Sequence, residues 1–273
     1  MVAVPLSQFN KMKITTWNVN SINSRIDHLE KFISKDQSNI YLLQELKCID
    51  ESFPSKIIEK LGYYCYINGQ KAWNGVAILS KSKLIINNKK IPTFTEDIQS
   101  RFLETEIKIK QIKQPIKLFC IYLPNGNPID TEKFIYKIDW MKKFNNYILE
   151  LYKKNTPMII GGDFNVIPSD DDVYSPENFK NDACAHPKTR ELYRTLLNSG
   201  FTDTVKNFVK GKTNWTYWGY RGGSWQKGNG LRIDHFLTTS EITDLIKEVK
   251  IDREPRGWEK SSDHTPVILE IDS

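Results

Sequence analysis

Polar residues that can bind metals or phosphates follow short apolar, strand-like runs at several places in this chain. One such residue is ordinarily a turn or a helix cap. The repetition of the pattern instead predicts that these residues converge at one edge of a sheet assembly, where α/β active sites commonly lie. The residues are Asn18 and Asn20, Gln44 and Glu45, Tyr122 and Asn125, Asp163 and Asn165, Asp234, and Asp263 and His264.

The chemistry open to this set is narrow. The chain has no GxSxG motif, no glycine-rich phosphate loop and no zinc-protease spacing among its four histidines. What remains is a set of hard oxygen donors, which suits Mg²⁺ or Mn²⁺ and the hydrolysis of a phosphodiester by activated water. Asp163 and Asn165 are two residues apart, so both would face the same side of an extended strand. One could deprotonate the water while the other holds it.

The elements that must position these residues alternate between strands and helices. Short runs rich in Ile, Val and aromatic residues predict strands, and apolar residues at helical spacing predict helices. The predicted strands are Ile14–Asn18, Ile40–Glu45, Gly75–Ser80, Phe102–Ile107, Ile116–Leu123, Met158–Phe164, Trp215–Trp218, Leu231–Thr238 and Val267–Ile271. The predicted helices lie around Ile22–Ile33, over Thr131–Lys154 and over Thr189–Asn198.

This alternation predicts an α/β fold with packed sheets and outer helices. Because no Gly/Ser- or Pro-rich linker interrupts the chain, we expect a short N-terminal extension (residues 1–12) and one domain (residues 13–273). The polar, acidic segment Ser169–Asp182 is predicted to be a solvated loop. Its Asp170–Asp172 run lacks the alternating spacing of a calcium loop.

Composition excludes several classes of protein. With 273 residues, 39% of them hydrophobic, and a net charge of +6, the chain is too apolar for a disordered protein and can bury a sizeable core. No uncharged apolar stretch reaches the roughly 18 residues that span a bilayer, and the first residues lack a signal-peptide core. The four cysteines form no CxxC pair. We therefore expect a soluble protein of a reducing cytoplasm, without membrane association, zinc site or disulfide framework.

One stretch of the chain, Thr204–Ile233, contains no Asp or Glu although the chain has 33 acidic residues. We call it the basic segment. It could simply be a basic loop with core aromatics, but its composition favours a nucleic-acid surface, because Lys and Arg neutralise phosphates and aromatic rings stack on bases. Its residues of these types are Lys206, Phe208, Lys210, Lys212, Trp215, Tyr217, Trp218, Tyr220, Arg221, Trp225, Lys227 and Arg232.

The motifs together resemble the exonuclease III family of apurinic/apyrimidinic (AP) endonucleases, within the endonuclease/exonuclease/phosphatase superfamily. The resemblance implies a four-layered α/β sandwich, with two packed mixed β-sheets flanked by helices, and a requirement for Mg²⁺ that Mn²⁺ could replace. The matching segments follow the family order over Met12–Ile271: TWNVNS (16–21), LLQELK (42–47), YLPNGN (122–127), GGDFNV (161–166), TYWGYRGGSW (216–225), GLRIDHFL (230–237) and SSDHTPV (261–267).

The resemblance also implies a metal site. Glu45 matches the principal metal ligand, Asn18 lies beside it, and Asp263 matches a further ligand. The full set of implied metal-site residues is Asn18, Glu45, Asp163, Asn165, Asp263 and His264. Asn20 departs from the pattern, because some relatives carry an Asp there that helps to bind a second metal. An amide binds a cation less strongly than a carboxylate does, so no tight second metal site is expected.

The resemblance implies five catalytic roles. Asp163 matches the residue that orients or deprotonates the attacking water, and Asn165 matches the one that steadies it. Tyr122 matches a phenol near the scissile phosphate, either a hydrogen-bond donor or a phenolate. His264 matches an imidazole that contacts this phosphate, with Asp234 as its orienting carboxylate.

The implied function is a DNA repair nuclease that cuts duplex DNA 5′ to abasic sites, leaving a 3′-hydroxyl, with 3′→5′ exonuclease and 3′-phosphodiesterase or phosphatase activity. Its partner would be duplex DNA with abasic sites or blocked 3′ ends, and a monomer is expected. A phosphoesterase for nonspecific DNA or a phospholipid and an inactive DNA-binding protein are the alternatives. The implied sugar pocket comprises Tyr217, Trp218, Leu231 and Ile233, and the phosphate contacts are Lys47, Asn125 and Arg221.

Overall fold

The computed structural model describes residues 10–211 and 213–273. The strands within these residues are β1 (Lys11–Asn18), β2 (Ile40–Gln44), β3 (Tyr64–Asn68), β4 (Val76–Ser80), β5 (Ile86–Asn88), β6 (Phe102–Ile107), β7 (Ile116–Tyr122), β8 (Met158–Asp163), β9 (Thr202–Asp203), β10 (Asp234–Thr238), β11 (Ile246–Ile251) and β12 (Val267–Asp272). In this described part they form two six-stranded mixed sheets, ordered β11-β12-β1-β2-β4-β3 and β5-β6-β7-β8-β10-β9.

The longer helices cover the outer faces of the two sheets, whereas two short ones contribute Val205 and Ile242 to the buried cluster between the sheets. The helix bounds are α1 (Ile26–Asp36), α2 (Ser55–Lys60), α3 (Glu132–Lys153), α4 (Pro187–Asn198), α5 (Thr204–Phe208), α6 (Ser224–Lys227) and α7 (Ser240–Thr243). Leu29 and Phe32 of α1 pack on the first sheet, and Trp140 of α3 and Tyr193 of α4 pack on the second. These layers confirm the predicted four-layered sandwich. In the residues described, no helix is both long and apolar enough to cross a membrane.

The central core lies between the two sheets. Ile14 and Leu42 of the first sheet share one buried cluster with Ile159 and Phe236 of the second. Gly161 permits the sheets to approach closely, because a Cβ atom there would stand 2.7 Å from Leu42 Cδ1 and would also strike the ring of Phe236. Strands buried on both faces read as continuous apolar runs, which explains why the central strands were predictable.

The predicted strands differ from the observed ones chiefly at the sheet edges. The four strands without a prediction, β3, β5, β9 and β11, stand at the ends of the two sheet orders. Edge strands are less buried, and the charged residues of β11 hide its pattern. Strands β5 and β9 are only three and two residues long, and β3 is partly buried throughout without an alternating pattern. The predicted strand Trp215–Trp218 is wrong, because Tyr217 makes only isolated bridges to Leu231 and His264. Strand β1 begins at Lys11, before the predicted domain start at residue 13, and Lys11 pairs with Asp272.

Candidate active site

Strand direction brings the polar strand ends to one edge of the sandwich. Strands β1 and β2 are parallel, with Asn18 opposite Gln44, and β7 and β8 are parallel, with Tyr122 opposite Asp163. Strand β10 is antiparallel to β8 and begins at Asp234, opposite Asp163. Strand β12 is antiparallel to β1, so the segment that precedes it enters at the same edge. The carboxyl ends of parallel strands meet at one edge, and the antiparallel partners add their amino ends there.

These strand ends surround a cavity of about 450 Å³. Carboxylates, amides, a phenol and an imidazole lie in its wall beside apolar side chains, as expected of a site that binds a polar ligand in a fixed orientation. The predicted residues that line it are Glu45, Tyr122, Asn125, Asp163, Asn165, Tyr217, Leu231, Ile233, Asp263 and His264.

Asn18 is a buried amide that joins two carboxylates. Its Nδ2 atom donates to Glu45 Oε2 and to Asp163 Oδ2, both at 2.9 Å. Its Oδ1 atom accepts from the backbone N–H of Asn20 at 3.0 Å, and its backbone carbonyl accepts from the Ser262 hydroxyl at 2.7 Å. Asn18 therefore spaces Glu45 and Asp163 through its Nδ2 atom, while its Oδ1 atom holds the main chain at Asn20.

Asp163 and Asn165 both line the cavity, but they do not belong to one extended strand as predicted. Strand β8 ends at Asp163, and Asn165 has a φ of +47°, in the left-handed region that Asn tolerates better than most residues. The backbone N–H of Asn165 donates to Asp163 Oδ1 at 2.9 Å. The Asn165 amide donates to the Leu123 carbonyl at 2.9 Å and accepts from Asn125 Nδ2 at 3.0 Å. A turn, and not strand alternation, therefore places both side chains in the cavity.

His264 stands between two buried carboxylates. Its Nδ1 atom lies 2.9 Å from Asp234 Oδ2, and its Nε2 atom lies 3.7 Å from Asp163 Oδ2. Burial opposes the charged imidazole, but the attraction of Asp234 and Asp163 outweighs it and raises the pKa of His264 to about 10. A metal could bridge ligand atoms of Asp163, Asp234 and His264, which lie within 4.8 Å of one another. Nδ1 of His264 is paired with Asp234, so Nε2 is the ring atom that is left to contact a phosphate.

Two further groups of the site, Asp163 and Tyr122, have raised pKa values. Burial raises the pKa of Asp163 to about 7, with His264 opposing the shift and Asp234 adding to it. Burial, together with the charges of Glu45 and Asp163, holds the pKa of Tyr122 well above its ordinary value. Of the two protonation states predicted for Tyr122, the neutral phenol is therefore the one that the site favours, and it can donate a hydrogen bond.

The carboxylates of this edge fit a divalent metal. Glu45, Asp163 and Asp263 all line the cavity, and carboxylate oxygens are the donors that hard cations prefer. Glu45 is held with a φ of +59°, a left-handed conformation that non-glycine residues adopt chiefly where the surrounding structure enforces it. Lys47 Nζ lies 3.0 Å from Glu45 Oε1. Asn20 Nδ2 donates to Asp263 Oδ1 at 2.9 Å, so the neighbour of Asp263 at this position is an amide and not a further carboxylate.

The sequence model of the Endonuclease/Exonuclease/phosphatase family matches residues 15–264. The chain belongs to this family. It is 32% identical over 272 residues to exodeoxyribonuclease III of Haemophilus influenzae, covering 95% of this chain and 100% of that one. Its structure is similar to the 3′-5′ exonuclease of Neisseria meningitidis, at 33% identity and a TM-score of 0.88. It is also similar to an AP endonuclease from Archaeoglobus fulgidus, at 30% identity and the same TM-score of 0.88. Both comparisons cover 96% of this chain and 100% of the other.

Within this member of the endonuclease/exonuclease/phosphatase family, three of the four residues predicted for the sugar pocket line the cavity. Tyr217, Leu231 and Ile233 do so, and the Tyr217 ring lies 4.8 Å from that of His264. Trp218 does not line it. Its ring is buried, 4.8 Å from the ring of Trp225, because consecutive side chains in an extended segment point to opposite sides.

The predicted phosphate contacts lie in three different places. Asn125 lines the cavity, whereas Lys47 lies beside the carboxylate of Glu45. Arg221 is exposed in a short 3₁₀ helix, Arg221–Gly223, outside the cavity wall.

The basic segment supplies fewer surface cations than its composition predicts. Arg232 is buried, with Nε 2.8 Å from Asp172 Oδ1 and Nη1 2.7 Å from Asp203 Oδ2. Lys206 is exposed, but its Nζ lies 3.7 Å from Asp171 Oδ2. Acids from outside the segment thus neutralise part of its charge, and Lys212 lies outside the described residues.

Sequence reasoning missed several residues of the site. The segment Ser169–Asp182 is more than a solvated loop, because Tyr174, Phe179 and Asp182 line the cavity and Asp172 is buried against Arg232. Two aromatic residues in an acidic segment were the available signal. Arg101 was also missed: its guanidinium lies 4.9 Å from the centre of the Tyr122 ring, and its Nη1 donates to the Tyr122 carbonyl at 3.1 Å. No motif marks Arg101.

Proposed function

We propose that this chain is a Mg²⁺-dependent DNA repair nuclease that hydrolyses the phosphodiester 5′ to abasic sites in duplex DNA and leaves a 3′-hydroxyl. It also removes nucleotides or blocking groups from 3′ ends. The observation that carries the proposal is the Asn18 amide, which holds Glu45 and Asp163 at 2.9 Å each beside the His264–Asp234 pair. The relatives named exodeoxyribonuclease III and AP endonuclease support the same conclusion, as does a Neisseria 3′ phosphatase, 32% identical, bound to a product DNA hairpin.

The phosphate is held by fixed hydrogen-bond donors. His264 carries its proton because Asp234 and Asp163 face it, and Tyr122 keeps its phenolic proton. Both can donate to a nonbridging phosphate oxygen, and a preorganised donor stabilises the charge that develops there in the transition state. Asp234 fixes the orientation of the imidazole through its bond to Nδ1.

The attacking water is oriented by Asp163 and steadied by Asn165. Burial raises the pKa of Asp163 above its ordinary value, which moves this carboxylate towards the range in which a general base works at neutral pH. Glu45 and Asp263, with Asp163 close by, would hold Mg²⁺, which when bound neutralises phosphate charge and activates water. The amide of Asn20, hydrogen bonded to Asp263, argues for one tight metal site.

Lesion recognition is assigned to the apolar end of the cavity. Tyr217, Leu231 and Ile233 would enclose a displaced deoxyribose and reject a nucleotide that still carries its base. Lys47, Asn125 and Arg221 would contact DNA phosphates. We further propose that the enzyme is a monomer, since an enzyme of this kind approaches the duplex from one face. We also propose that it is cytoplasmic, in line with its cysteines, which form no CxxC pair.

The decisive experiment uses a duplex with a tetrahydrofuran abasic analogue, beside an undamaged duplex and one with a 3′-phosphate. We expect Mg²⁺-dependent incision 5′ to the analogue, with a product that a polymerase extends. The Asp163→Asn variant, purified in the same way, excludes a contaminating nuclease. Absence of incision by the folded wild type would overturn the proposal, and equal cleavage of the undamaged duplex would indicate a nonspecific nuclease.

A further inference from the structure

Lys137 is a fully buried lysine on α3 that none of the roles above uses. Its Nζ atom donates to the backbone carbonyl of Asn125 at 3.0 Å and to that of Asn165 at 2.6 Å. An ammonium group has three donors, and burying it without partners is costly. These two carbonyls, on separate loops, are therefore its anchors inside the protein.

The two loops that Lys137 joins carry a proposed phosphate contact and a proposed catalytic residue. The first follows β7 and includes Asn125, and the second follows β8 and includes Asn165. Their side chains are also paired, since Asn125 Nδ2 donates to Asn165 Oδ1 at 3.0 Å. Lys137 thus holds the main chain behind an amide pair whose side chains face the cavity.

Gly126 shows that the space is shaped around this lysine. Gly126 has a φ of +88°, and a Cβ atom there would stand 2.6 Å from Lys137 Cδ and 3.1 Å from Lys137 Cβ. The sequence also carries a signal, because Lys137, Met141, Phe144 and Ile148 share the buried face of α3. A lysine on the core-facing side of a helix must find acceptors inside the protein, and backbone carbonyls can serve where no acidic side chain does.

We propose that Lys137 is a positioning residue of the reaction, which bridges the carbonyls of Asn125 and Asn165 and so keeps Asn165 oriented towards the attacking water. The inference rests on the proposed catalytic role of Asn165. A small displacement of such a group can lower a rate about 100-fold even when the altered residue does not touch the substrate.

The first test is Lys137→Met, with Asn145→Leu as the matched control. Asn145 is buried on the same helix, but it donates to the Leu192 carbonyl of α4, away from the cavity. On the DNA substrate that the wild type cleaves fastest, we expect Lys137→Met to lower kcat roughly 10- to 100-fold with little change in KM. Asn145→Leu should lower Tm while kcat stays near that of the wild type.

A readout independent of activity is hydrogen exchange in the loops 122–128 and 163–167. We expect faster exchange of both loops in Lys137→Met and unchanged exchange in Asn145→Leu. A double-mutant cycle with Asn125→Ala should be non-additive, because both changes disturb the same amide pair. Additive losses, or wild-type kcat and loop exchange in Lys137→Met, would overturn the inference, whereas a wild type without abasic-site cleavage would instead refute the proposed function.

A second variant covers the case in which Lys137→Met does not fold. Gly126→Ala displaces the lysine without changing its chemistry, and Gly62→Ala is its control, because Gly62 has a similar φ of +91° with no atom within 4 Å of an added Cβ. Both variants carry the backbone strain, but only Gly126→Ala should lower kcat and speed exchange in the two loops. Equal kcat values for the two variants would count against the proposal.

Discussion

Asp234 Oδ2 lies 2.9 Å from Nδ1 of His264, and both side chains are buried. Replacing Asp234 by Asn removes the charge that keeps this imidazole protonated. We expect the pKa of His264 to fall well below about 10 and kcat to fall about 100-fold or more, as for the loss of a preorganised donor. Titration of His264 by NMR, beside steady-state kinetics, measures both. An unchanged pKa would show that Asp234 is not its main partner.

Asp163→Asn should abolish most turnover while leaving DNA binding nearly intact. The variant keeps the shape of the side chain, so Asn18 can still occupy its place beside it, but it removes the base that directs water. We expect kcat to fall by at least about 1,000-fold. Single-turnover rates and fluorescence anisotropy on the abasic duplex separate chemistry from binding, and near-normal turnover would remove Asp163 from its proposed role.

Glu45→Gln should raise the Mg²⁺ concentration that half-maximal activity requires. The substitution removes a carboxylate that lines the cavity and the negative charge that lies 3.0 Å from Lys47 Nζ, which keeps its hydrogen bond to Asn20. We expect at least about a tenfold increase, and complete loss of wild-type activity in EDTA that Mg²⁺ or Mn²⁺ restores. Titration calorimetry of Mn²⁺ with the protein alone checks the affinity directly. Equal affinities for the wild type and Glu45→Gln would place the metal elsewhere.

Selectivity for the abasic site should depend on the cavity wall and not on Trp218. Leu231→Ala removes part of the cavity wall and so enlarges the cavity, which would then exclude a nucleotide with its base less well. We therefore expect the ratio of abasic to undamaged cleavage to fall roughly 10-fold or more. Trp218→Phe serves as the control, because Trp218 is buried against Trp225 and should change Tm instead of the ratio. Competition between the two duplexes in one reaction measures this ratio. A selectivity loss confined to Trp218→Phe would reverse the assignment.

His235 should make folding stability depend on pH. Its Nδ1 lies 2.8 Å from Arg232 Nη1 and its Nε2 lies 3.0 Å from the Val166 carbonyl, which suits a neutral ring. Burial and then Arg232 lower the pKa of His235 from 6.5 to about 4. Between pH 6.5 and pH 4, His235 is therefore protonated in the unfolded chain and neutral in the folded chain. The free energy of unfolding should fall as the pH is lowered through this range, because protonation stabilises the unfolded state. The contribution of this group is about 1.4 kcal/mol per pH unit.

The measurement for His235 is urea denaturation across that pH range, with His235→Gln as the comparison. Gln offers an acceptor and a donor but no titrating group, so its stability curve should be flatter. Other acids titrate in both proteins, and their contributions cancel in the difference between the two curves. Parallel curves for the two proteins would contradict the prediction.

The patterns in the sequence predicted packed sheets with outer helices and most of the residues that line the cavity, and the family resemblance of its motifs implied the four-layered sandwich. Central strands such as β2 and β8 are buried on both faces, so their apolar runs stand out, and the polar residues that end them stand out for the same reason. The edge strand β11 escaped prediction because its exposed positions carry charged residues. The edge strand β3 (YCYIN) has no charged residue, but it is only partly buried along its whole length and shows no alternating or continuous apolar pattern.

Only the tertiary structure decided which charged side chains are exposed and which are buried. Arg232 and Lys206 belong to one acid-free segment, yet Arg232 is buried by acids distant in the chain, Asp172 and Asp203, and Lys206 is exposed. Lys137 and Arg101 likewise acquire their positions from backbone carbonyls, which leave no trace in side-chain composition. A local pattern records whether a residue suits water or an apolar core, but the partner of a buried charge is set by chain segments that meet only when the sheets pack.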